Sequence, residues 1–212
     1  MPIFIALTFD DGTYHQYTLL HLLHRLNIRG TIFCVTNLER HPNTNKKLLI
    51  REPEKLRELH RMGHEIGSHT CTHPNLTLLS TKELEKELKN SKDTLEKIIG
   101  DDVLSFAYPY SLFNKRVLMK VKEYYFYARC GSSIKVPFNI NSCDRHKISS
   151  IGIKKLMVLT PKIIQFRWSR KDIFIVIMIH DMPKIIFLGL IFYLKILFNP
   201  NFIRIKELSD IM

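Results

Sequence analysis

Nowhere in this 212-residue chain do five or six like charges stand together, and no internal repeat, low-complexity tract or linker interrupts it. These absences exclude a charged disordered tail, a solenoid and a beads-on-a-string organisation. Cysteine is scarce as well. Cys34, Cys71, Cys130 and Cys143 are too few and too scattered for a disulfide framework. Cys34 sits in an apolar run and reads as a small core residue, and the Cys143–His146 spacing is weak evidence for a metal ligand pair. The longest apolar stretch, Ile185 to Phe198 broken only by Lys195, has 14 residues, fewer than the roughly 20 a membrane span needs. A buried helix is the preferred reading, with a membrane-surface helix as the alternative. Met1-Pro2 leads straight into Ile3-Phe4-Ile5, without a basic n-region or a small-residue cleavage site. No signal peptide is read, so a cytoplasmic location is expected, with peripheral membrane contact left open. Acidic residues are few, 20 against 32 lysines and arginines, for a net charge of +12 and a pI near 9.6. Such a surface attracts anions generally, but the dispersed charges make nucleic acid an unexpected partner.

What is present is ordinary globular composition, 45% apolar and 25% charged, in a chain of one-domain length. A single domain over residues 1–212 is expected. Ile3–Phe9 has strand length and is followed by Asp10-Asp11-Gly12. Leu19, Leu22, Leu23 and Leu26 then recur at helical spacing until Gly30. Thr31–Thr36 predicts a second strand, Pro53–Met62 a helix and His64–Gly67 a third strand. Ser80-Thr81-Lys82-Glu83 is a capping box opening a helix that Gly100 closes. Val103–Ala107 and Tyr124–Ala128 predict two more strands around a helix over Asn114–Val121. Residues 129–162 give no clear pattern. Ile173–Ile179 is seven apolar residues in a row, as expected of a parallel strand buried on both faces. Alternation of strand and helix implies an α/β architecture with parallel strands, in an open sheet or a closed or incomplete barrel.

In such folds, sites form where the strands end, at their carboxyl edge. The polar residues just beyond the apolar runs are Asp10 and Asp11, then Ser68, His69 and His73, then Tyr108, Pro109 and Tyr110, and lastly His180 and Asp181. His69 and His73 stand four apart, and on a helical turn both would point the same way. With one carboxylate from the first strand end they would hold a catalytic divalent cation with an open position. Of the adjacent aspartates, one can bind metal while the other serves as general base, because neighbours along a strand face opposite sides.

These residues resemble the motifs of the polysaccharide deacetylases. Thr8-Phe9-Asp10-Asp11-Gly12 is similar to the first motif, and Gly67-Ser68-His69-Thr70-Cys71-Thr72-His73 to the second. Phe106-Ala107-Tyr108-Pro109-Tyr110 resembles the third, and Ile177-Met178-Ile179-His180 the fifth. The resemblance implies a distorted, partly open (β/α) barrel with parallel strands. It implies Asp10 as general base, and Asp11, His69 and His73 as ligands of a divalent metal, zinc first, with cobalt, nickel and manganese as alternatives. It also implies an oxyanion donor in the Tyr110 N–H and a general acid in His180. The substrate would be an acetylated saccharide, carrying N-acetyl rather than O-acetyl groups. Two departures stand out. Ala107 occupies the place of an arginine that orients the base in many members, and Trp168 lacks the adjoining aspartate of a fourth motif, although Asp172 is close. Alternative readings are an amidohydrolase acting on a non-sugar C–N bond, and a non-catalytic relative that binds glycan or polyanion.

Overall fold

The computed structural model describes residues 3–131, 144–158, 173–197 and 203–206. Eight parallel strands form one sheet, β1 (Ile3–Phe9), β2 (Thr31–Cys34), β3 (Glu65–Ser68), β4 (Ser105–Ala107), β5 (Tyr127–Cys130), β6 (Ile148–Gly152), β7 (Ile173–Ile179) and β8 (Ile203–Lys206). The order β2-β3-β4-β5-β6-β7-β1 closes into a seven-stranded barrel through β1–β2. That closure is thin. Thr8 and Phe9 pair with Thr31 and Ile32, while β8 takes the earlier part of β1, Ile3 to Ala6. The β3–β4 seam is thinner still, with one register pair, Ser68 and Phe106, against seven between β1 and β7. The expected (β/α) barrel with parallel strands is the fold observed, closed through these thin seams.

Helices cover the barrel, α1 (Tyr14–Arg25), α2 (Pro53–Arg61), α3 (Thr81–Ile99), α4 (Lys115–Tyr124), a short α5 over 153–158, and α6 (Lys184–Leu197). Helix α1 ends at Arg25 with Leu26 as its cap, short of Gly30, whereas local signals set the ends of α3 as expected. Ser80 and Glu83 form the reciprocal capping box of α3, and Gly100 closes it at φ 75°. Boundaries differ elsewhere. Helix α4 runs on to Tyr124, which moves β5 to Tyr127–Cys130, and β4 starts at Ser105 rather than Val103. Strand β6 lies in the stretch that gave no pattern. Cys143, Trp168 and Asp172 fall outside the described residues.

Helix α6 corrects the expectation of full burial. It buries Phe187, Leu190, Ile191 and Leu194, one stripe at helical spacing, and leaves Ile185, Ile186 and Phe192 more than half exposed. Among the described residues, no helix is long and apolar enough to cross a membrane.

Strand alternation sorts the core into two layers. Ile5, Leu7 and Phe9 of β1 pack with the helices, while Phe4 and Ala6 belong to the barrel interior with Phe33, Ala107, Tyr127, Ile148, Phe174 and Val176. Space inside is tight where Gly67 passes Phe33. A Cβ at residue 67 would lie 2.5 Å from Ser105 Oγ and 2.6 Å from the Phe33 ring. Gly67→Ala is therefore expected to destabilise the fold by about 1–3 kcal/mol through overpacking. A denaturation midpoint that does not move, at unchanged slope, would contradict the packing described.

Candidate active site

The same alternation delivers the chemistry to one end of the barrel. Phe4, Ala6 and Thr8 lead to Asp10, Glu65 and Gly67 to His69, Phe174, Val176 and Met178 to His180, each the next inward position past its strand. Together with Asp11, His41, His73, Tyr108 and Tyr110 these residues line an open cleft of about 360 Å³. The structure thus brings all of the expected site residues, Asp10, Asp11, His69, His73, Tyr110 and His180, to one place.

Asp11 breaks the strand pattern. Its backbone is left-handed at φ 84°, and Gly12 follows at φ 71° against Cys34, where a Cβ would meet Sγ at 2.9 Å. A reciprocal cap stabilises this turn. Thr13 caps α1 with Gln16, whose amide oxygen accepts from the N–H groups of Gly12 and Thr13 and whose amide nitrogen donates to the Asp10 carbonyl. The T-x-x-Q spacing carried that signal in the sequence.

His69 and His73 converge by a different route from the one expected. Residues 69–75 form no helix, and Thr70 (φ 71°) and His73 (φ 56°) both adopt the left-handed region. Spacing of four works here because two left-handed residues fold the chain back on itself. Glu87 of α3 clasps this loop, accepting from the N–H groups of Cys71 and Thr72 and from the Thr72 hydroxyl. Tyr110 (φ 54°) and Ser111 (φ 60°) are left-handed as well. With Asn45 of the loop that carries His41, Asn43 and Thr44, six of the seven such non-glycine residues among those described lie in the loops around the cleft. Each costs on the order of 1–3 kcal/mol, a concentration of strain common at functional sites.

Three imidazoles face the Asp11 carboxylate. Its Oδ1 lies 3.7 Å from His69 Nε2, 3.8 Å from His73 Nε2 and 3.3 Å from His41 Nε2. One donor atom each from Asp11, His41 and His73 lie mutually within 4.8 Å. Donors about 2.0–2.2 Å from one tetrahedral ion stand roughly 3.4 Å apart, so the contacts to Asp11 suit a shared cation. Protonation suits it too. Burial works to raise the Asp11 carboxyl, but the contact with His41 and the neighbouring imidazoles outweigh it and hold it at about 2. Burial pushes His73 down to about 3 and lowers His69. At neutral pH Asp11 is thus a carboxylate and His69 and His73 are neutral, the forms that bind metal. His69 Nδ1–H donates to the Ala107 carbonyl at 2.8 Å, which leaves the Nε2 lone pair directed at Asp11.

Asp10 has its own partner. Arg129 of β5, buried and stacked over Phe33 at 5.2 Å, donates through Nη2 to Asp10 Oδ1 and through Nη1 to Ser150 Oγ at 2.8 Å. Arg129 is the register partner of Ala107. The guanidinium absent from position 107 is supplied from the adjacent strand. Sequence reading missed Arg129 because it lay at the edge of the unplaced stretch, and missed His41 because it lies in a loop without periodicity. His180 is exposed at the cleft wall. Asp181 is engaged elsewhere, with Lys46 at 2.9 Å and the Thr13 hydroxyl at 2.5 Å. His146, once a possible partner of Cys143, is buried and bonds the Tyr125 carbonyl at 3.0 Å.

Comparison with known proteins bears on the family and the fold. The peptidoglycan-N-acetylmuramic acid deacetylase PdaC of Bacillus subtilis is 32% identical over 121 residues, 56% of this chain and 24% of the relative. The chain spans between 23% and 52% of the length of the curated relatives it matches. The fold is similar to the Xyl-CE4 domain of a multidomain xylanase from the Trinervitermes trinervoides hindgut metagenome (TM-score 0.64, 20% identity, 99% of this chain and 89% of that one). It is equally similar to a CE4 family pseudoenzyme from Bacillus anthracis (TM-score 0.64, 14% identity, 99% and 65%). Residues 2–128 match the sequence model described as polysaccharide deacetylase, and the chain belongs to that family.

Proposed function

We propose that this chain is a metal-dependent hydrolase that removes the acetyl group from an N-acetylated sugar of a saccharide. The observation that carries the proposal is the cleft itself. The Asp11 carboxylate and the imidazoles of His69 and His73 converge there beside the separate Asp10–Arg129 pair. Asp11, His69 and His73 would hold the ion, with zinc suiting the donors and cobalt, nickel or manganese able to replace it. A divalent cation supplies Lewis acidity at the acetyl carbonyl and lowers the pKa of water to about 7. Asp10, oriented by Arg129, takes the proton of the attacking water. The Tyr110 N–H stabilises the developing oxyanion, and His180 returns a proton to the departing nitrogen.

The nature of the relatives supports an N-acetylated substrate, since several are named as peptidoglycan N-acetylglucosamine or N-acetylmuramic acid deacetylases. The test is acetate release by the metal-loaded chain from N-acetylglucosamine oligomers, peptidoglycan fragments and O-acetylated xylan. Turnover confined to the N-acetylated set is expected. Release only from the O-acetylated polymer would overturn the assignment, and metal binding without turnover of any would favour a non-catalytic glycan-binding relative.

A further inference from the structure

The third imidazole has no place in the ligand set just described. His41 sits on a small hairpin between β2 and α2, with Arg40 bridging Lys47, the His41 N–H bonded to the Lys46 carbonyl (2.8 Å) and the Asn45 N–H to the His41 carbonyl (2.9 Å). Backbone bonds tie this hairpin to the Asp11-Gly12 turn. Leu49 N–H donates to the Gly12 carbonyl (2.8 Å) and Tyr14 N–H to the Lys47 carbonyl (2.9 Å). At its tip, Asn43 Nδ2 donates to the Tyr110 hydroxyl across the cleft at 3.0 Å. The position of His41 relative to Asp11 is therefore built in from two sides.

His41 is 4% exposed, and its Nε2 makes no well-aligned hydrogen bond. That nitrogen stands 3.3 Å from Asp11 Oδ1, nearer than either expected histidine ligand, and its ring meets the His73 ring edge-on at 4.7 Å. A buried imidazole nitrogen whose best partner is one poorly aligned carboxylate contact, aimed into a cluster of metal donors, is suited to a cation there.

We propose that His41 is a fourth protein ligand of the metal centre, joining Asp11, His69 and His73 through Nε2. This rests on the reading that those three residues hold a cation. A fourth protein donor would leave a bound ion less room for water and the acetyl oxygen than three donors would. The Asn43 backbone N–H points at His41 Nδ1 (3.3 Å), so Nε2 is the ring nitrogen that faces the cluster.

The test uses Co²⁺ on the purified chain, with wild type, His41→Ala, His41→Gln and His73→Ala compared by X-ray absorption and by chelator competition. Three imidazoles are expected in the wild type and two in both His41 variants, whose Kd for Co²⁺ rises by roughly 100-fold. Two imidazoles in wild type and His41→Ala alike, at unchanged Kd, would overturn the proposal while leaving the three-ligand centre intact. So would recovery of affinity in His41→Gln, because glutamine can replace a hydrogen-bond donor to Asp11 but not an imidazole. Loss of Co²⁺ in His73→Ala keeps the centre itself established. A wild type that binds no Co²⁺ would remove both this inference and the metal-dependent function it rests on.

Discussion

Replacing His69 with alanine is expected to abolish tight binding of a divalent cation and, with it, acetate release, by about 10³-fold or more in kcat/KM. His69 is buried, and its two ring nitrogens do different jobs. Nδ1 is committed to the Ala107 carbonyl, so Nε2 stands 3.7 Å from Asp11 Oδ1 with its lone pair available. Alanine removes the donor and leaves an empty place that water fills without directional preference. His69→Gln keeps most of the volume and separates the loss of a ligand from the loss of packing. Metal content after dialysis, acetate release and circular dichroism of both variants check the prediction. A folded His69→Ala variant that retains one tight ion and full turnover would sink the proposed centre.

Arg129→Met is expected to have a comparable effect by another route. The guanidinium is the ionic partner of Asp10, both groups are buried, and the two are 119 residues apart in the chain. Removing it strands a carboxylate in the barrel mouth, at a cost of roughly 3–5 kcal/mol. The base also loses its orientation, so kcat should fall by about 10²-fold or more with little change in KM. Adding Asp10→Asn should restore much of the stability but none of the activity, which separates the two consequences in a double-mutant cycle. Arg129→Lys should recover charge without the planar fork that reaches Asp10 and Ser150 together, and so rescue stability more than rate. If Arg129→Met is as stable as wild type and turns over normally, the pair has no positioning role.

The Arg129 case also shows why a motif read alone can mislead. Ala107 departs from the arginine that many family members carry, which suggested an unsupported base. In the folded chain, Ala107 and Arg129 are register partners on adjacent strands, so the guanidinium comes from β5 instead of β4. A search along the sequence cannot find such an exchange. The two positions are related only by strand pairing, and β5 itself was displaced in the reading because α4 runs three residues longer than its apolar pattern suggests.

The longest periodic and apolar runs were legible in the sequence as elements, though not always in their bounds. The apolar runs Ile3–Phe9, of strand length, and Ile173–Ile179, expected as a strand buried on both faces, became the most extensively paired neighbours of the barrel. Because polar residues just past such strands gather at one edge, Asp10, Asp11, His69, His73 and His180 could be assigned to a common site. The tertiary structure alone decided what depends on distant segments meeting. It closed the barrel through two residue pairs of β1 and β2. It folded residues 70–73 through left-handed backbone rather than a helix, paired Arg129 with Asp10, and laid the His41 hairpin over the Asp11 turn. Periodicity is encoded by neighbours along the chain, whereas ion pairs and ligand sets are fixed by register and loop path, which the packing of the whole barrel selects.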